Sequence, residues 1–65
     1  MRKVGEMILL GNPSRLVIMY DEKAKFNPWI FYKAWKDDSG NPHRKKVTAR
    51  TDLTCLYDIV DLIKQ

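Results

Sequence analysis

WIFYKAWK, residues Trp29 to Lys36, is the stretch on which the reading of this chain turns. Aromatic and β-branched side chains dominate it and no Gly or Pro interrupts it, which predicts a pleated, half-buried strand. Side chains alternate across a strand, so Trp29, Phe31, Lys33 and Trp35 share one face, and Ile30, Tyr32, Ala34 and Lys36 share the other. The second of these faces is ordinary and apolar. The first carries two indoles, a phenyl ring and an ammonium, and it is the clearest functional clue in the sequence.

Working outward, 37–42 (DDSGNP) is a dense turn signal. Residues 45–50 follow as a strand with Val47 and Ala49 facing in and Lys46, Thr48 and Arg50 facing out by the same alternation. Paired as a hairpin, the two strands would display Trp29, Phe31, Lys33, Trp35, Lys46, Thr48 and Arg50 on one open face. Upstream, residues 6–10 read as a first strand, Gly11, Asn12, Pro13 and Ser14 as a turn, and residues 15–20 as a second strand. Leu16, Ile18 and Tyr20 on one side of that strand and Val17 and Met19 on the other make both its faces apolar. It is therefore central in the sheet or covered by a partner chain. Residues 21–28 form a charged, Pro-terminated connection expected to be mobile.

Downstream, Thr51 or Asp52 is a suitable N-cap for a helix over residues 52–64. Leu53, Leu56, Tyr57, Val60 and Ile63 recur at helical spacing, with Ile59 and Leu62 beside them and Thr54, Asp58 and Asp61 on the wet side. This stripe is expected to pack on Ile30, Tyr32, Ala34, Val47 and Ala49. The predicted architecture is α+β: one domain over residues 1–65, a four-stranded antiparallel sheet followed by a C-terminal helix (ββββα), with the helix on one sheet face.

Composition narrows the function. A chain of 65 residues buries only about 60% of its unfolded surface, so its core is small and dimerisation is a natural expectation. A single cysteine, Cys55, excludes an internal disulfide and a cysteine-rich zinc site and suits a reducing compartment. As a helix residue it reads as a small core side chain. The apolar run from Met7 to Leu10 is too short for a signal peptide or a membrane span, so the expected setting is cytoplasmic, with no membrane partner. Residues 1–50 hold eleven of the twelve Lys and Arg against five acids, whereas residues 51–65 hold one Lys against three Asp. That asymmetry lets one face hold a polyanion and the other repel it.

No catalytic constellation is present, and a non-enzymatic role follows. His43 is the sole histidine and sits beside Pro42 in a turn, where solvation or phosphate contact suits it better than general-base work. Asp58 and Asp61 lack further ligands, so no metal is assigned. Ser14 and Ser39 have no base in reach, the three glycines are isolated from one another, and no cofactor is implied.

The segment YKAWKDDSGNPHRKKVT, residues 32–48, resembles the central hairpin of the PC4-like family of single-stranded-DNA-binding transcriptional coactivators. Lys33 and Trp35 take that family's basic and aromatic places, Asp38 and Gly40 its turn, Arg44 and Lys45 its basic pair, and Val47 with Thr48 its short strand. Lys46 stands where the family has Gly, and Lys33 where it more usually has Arg. The likeness covers residues 29–65. It implies DNA binding in transcription regulation, a homodimer with the helices near the contact, and a curved sheet surface gripping unpaired nucleic acid.

Independently of any family, exposed rings stack on bases and neighbouring Lys and Arg neutralise phosphates, giving sequence-tolerant binding of single-stranded DNA or RNA. The residues expected to do so are Trp29, Phe31, Lys33, Trp35, Arg44, Lys45, Lys46 and Arg50. Two other readings stand beside this one. Trp29 and Trp35 would also suit a second core or a subunit interface. The same aromatic and basic surface would equally serve a protein-binding or inhibitory module, of the kind phages use against host enzymes, because aromatics and Arg are the usual interface hot spots.

Overall fold

In a computed structural model describing residues 1–54 and 56–64, the chain is a four-stranded antiparallel sheet followed by one helix. Strands β1 (Arg2–Ile8), β2 (Arg15–Tyr20), β3 (Trp29–Lys36) and β4 (Pro42–Arg50) lie in sequence order across the sheet, and α1 (Leu56–Lys64) closes it. The ββββα architecture matches the expectation from sequence, and β2 and β3 have the expected bounds. The reading of Cys55 lies outside the described residues.

The other bounds shift for local reasons. β1 begins at Arg2 because the β2 register pairs Ile8 with Arg15 and runs back to Arg2 opposite Tyr20. The chain then leaves the strand at Leu9 and turns through Gly11, whose φ of 75° needs a residue without a Cβ. β4 begins at Pro42, opposite Lys36, on an edge where proline's missing N–H costs no ladder bond. The helix starts later than residue 52 because the Asp52 carboxylate accepts from the Thr54 amide at 3.0 Å and the Thr54 hydroxyl at 2.6 Å. Such a local turn competes with helical backbone.

The face covered by the helix overturns the sequence expectation. Ile59, Val60 and Ile63 of α1 bury together with Leu9, Leu16, Ile18 and Phe31, and Met7, Trp29, Val47 and Leu56 pack around them. The inward positions 56, 59, 60 and 63 follow the i, i+3, i+4, i+7 spacing of an amphipathic helix. Tyr57, placed in the apolar stripe from sequence, is 85% exposed. The helix therefore lies over the Trp29, Phe31, Lys33 and Trp35 face, not over Ile30, Tyr32 and Ala34.

A β-bulge explains part of the difference. Phe31 pairs with Thr48 but Tyr32 pairs with Lys46, so Val47 is an extra residue in β4. Strict alternation would send Val47 and Thr48 to opposite faces; the bulge puts Val47 against the core beside the Phe31 and Thr48 row. Lys46 comes into register with Tyr32. On the face away from the helix Val17, Ile30 and Ala34 are still buried. Long side chains stand among them: Lys3 and Arg15 reach Glu6 at 2.6 and 2.7 Å, and the Arg44 guanidinium lies 4.6 Å from the Tyr32 ring centre. Their aliphatic stems and ring shield the apolar floor that no helix covers.

Candidate nucleic-acid interface

The residues singled out from the sequence separate into four places. Phe31 is fully buried and touches the helix, which removes it from any ligand surface. Trp29 is half-buried at one end of the sheet, packed on the core and edge-on to Tyr20 with ring centres 4.9 Å apart. Arg50 stands opposite Trp29 and donates to the Thr48 hydroxyl and, at 3.3 Å, to the Ala49 carbonyl. Arg44 pairs with Ala34 and therefore lies on the face away from the helix, on Tyr32.

The remaining four converge. Lys33, Trp35, Lys45 and Lys46 line a groove of about 520 Å³ together with Ser14, Val47 and Leu62. Each side chain is delivered by a separate piece of register. Lys33 and Lys45 stand directly opposite each other across β3 and β4, bringing two positive side chains to one row of the sheet. Lys46 reaches the groove from the next row, and the bulged Val47 supplies its floor beside Leu62 of the helix. None of the lining residues is acidic.

Trp35 is half-buried and has a neighbour that the sequence reading did not give it. The His43 imidazole stacks on the indole, with ring centres 5.6 Å apart and planes 19° from parallel. His43 is in turn held by Asp37, whose Oδ2 lies 2.9 Å from Nε2. Asp37 also organises the hairpin turn: its Oδ1 accepts from the Ser39 amide at 3.0 Å and the Asn41 amide at 2.8 Å, while Gly40 takes a φ of 83°. The signal was present in the sequence, because pairing residues outward from the turn puts His43 opposite Trp35.

These bonds hold the Asp37 carboxyl below its ordinary value near 3.8, the His43 contact first and the Asn41 amide next. A carboxylate lowered by folding stabilises the fold above its unfolded value, and that contribution is lost as the pH falls through the folded one. The turn should therefore keep its order from neutral pH into the carboxylate range and loosen only below it. In an NMR titration the Ser39 and Asn41 amide shifts should follow Asp37 with a midpoint under 3.8; a midpoint at or above that value would contradict the hydrogen-bonded turn.

Among the described residues no group of three or more His, Asp or Glu side chains is placed to hold a metal ion. Among the same residues no helix is long and apolar enough to cross a membrane. No family model, curated protein or solved structure matches the chain.

Proposed function

We propose that this chain binds single-stranded nucleic acid with little sequence preference, seating a base against Trp35 and phosphates against Lys33, Lys45 and Lys46. The observation that carries the reading is the convergence of a half-buried indole and three lysines, with no acid, in one groove. Every base has a π-face, so stacking on Trp35 is tolerant of sequence. A duplex hides those faces within its own stack, and the preference for unpaired strands follows. His43 and Asp37 keep one side of the indole occupied, which leaves the other for the ligand.

Tryptophan fluorescence should be quenched by a single-stranded oligonucleotide and much less by a blunt duplex. With three phosphates neutralised at roughly −0.7 each, log K should fall against log salt with a slope of about −2. Equal affinity for duplex, or a slope near zero, would overturn the reading. A protein-binding role has other exposed apolar side chains to draw on: Ile8, Leu10, Phe26 and Tyr57 are 81%, 100%, 79% and 85% exposed. If no oligonucleotide binds at low salt and a pull-down retrieves one protein partner, that role replaces the one proposed.

A further inference from the structure

The β3 and β4 hairpin has a second basic groove, on the side away from the helix. It measures about 330 Å³ and is lined by Lys3, Arg15, Val17, Met19, Ala34, Pro42, His43 and Arg44. Its plan repeats that of the first groove. Cations stand over an apolar floor, Lys3, Arg15 and Arg44 over Val17, Met19 and Ala34, and the Arg44 guanidinium lies on the neighbouring Tyr32 ring. A guanidinium plane, like an aromatic ring, is a surface on which unpaired bases stack. Glu6 is the local counter-charge and is engaged with Lys3 and Arg15.

Neighbouring residues of β4 divide between the two grooves. Arg44 lines the second groove and Lys45 the first, while Lys46 pairs with Tyr32 and also lines the first. β4 is an edge strand, so nothing in the sheet lies beyond it to separate the grooves except the strand itself. A run of cations divided between both faces of an edge, Arg44 to one groove and Lys45 and Lys46 to the other, suits two polyanion segments better than one.

We infer that the hairpin stands between two strands of nucleic acid, one in each groove, and that the preferred ligand is a fork at which two strands part. This rests on the single-strand reading of the Trp35 groove and adds a second strand to it. Two arms held by one chain bind as a linked pair, so a fork should bind more tightly than either arm alone, by at least about tenfold.

The test is fluorescence anisotropy with three labelled probes: a DNA fork with two unpaired oligothymidylate arms, the same duplex with one arm, and the free arm. Stoichiometry is read by sedimentation. One chain per fork, tighter binding of the fork, and loss of that advantage in Arg44→Ala and Arg15→Gln would support the inference. Both variants should keep their affinity for the free arm within about twofold, which also reports that they are folded. Equal affinity for fork and free arm would overturn the inference and leave the single-strand reading standing. So would an equal loss on both probes in both variants. Failure of every probe to bind would overturn the two together.

Discussion

Phe31→Ala is expected to destabilise the protein by about 3–5 kcal/mol, the range for removing a buried aromatic ring and leaving its cavity. Phe31 has no exposed surface and sits among Leu16, Ile18, Ile59 and Ile63, the junction of sheet and helix. At roughly 0.05–0.15 kcal/mol per residue the whole domain has only about 3–10 kcal/mol to lose. The variant should therefore be largely unfolded, or close to it, in urea denaturation followed by far-ultraviolet circular dichroism. A variant with wild-type stability and impaired oligonucleotide binding would show that Phe31 faces a ligand and that the helix does not cover it.

Trp35→Ala should have the opposite profile. The indole is half-buried and stands outside the buried cluster, so the fold should survive. Single-strand affinity should fall by about 1–3 kcal/mol, the range for one stacked base. Trp35→Phe, which keeps a ring, should recover much of the loss. Anisotropy titration of a labelled single strand against the three proteins measures all of this. Unchanged affinity in Trp35→Ala would sink the stacking hypothesis, whereas a loss that Trp35→Phe does not recover would point to the indole's packing on His43.

The contrast between these residues shows what was legible in the sequence. The alternation of WIFYKAWK placed Phe31 and Trp35 on one face, and the structure keeps them there. Both faces of β2 and β3 are apolar, so alternation could not decide which one the helix takes. That choice depends on cross-strand sums. Leu16 and Ile18 stand opposite Lys33 and Phe31 and, with Met7 and Val47, bring the larger apolar volume to one side. The other side offers Val17, Ile30 and the small Ala34, shielded by charged stems. Turn chemistry was readable, since Asp37, Gly40 and Pro42 mark the hairpin, but the bulge at Val47 has no composition signal. Four of the eight residues proposed for binding share the groove; Phe31 went to the core, Trp29 and Arg50 to the far end, and Arg44 to the other face.

The bulge also bears on how this chain tolerates change. Val47 is the one residue of β4 with no partner in β3: Thr48 pairs with Phe31 and Lys46 with Tyr32 on either side of it. Deleting Val47 would leave the partners of Arg44, Lys45 and Lys46 as they are, so the strand can lose its extra residue without moving a single cation across the sheet, and what goes is the side chain packed on the core.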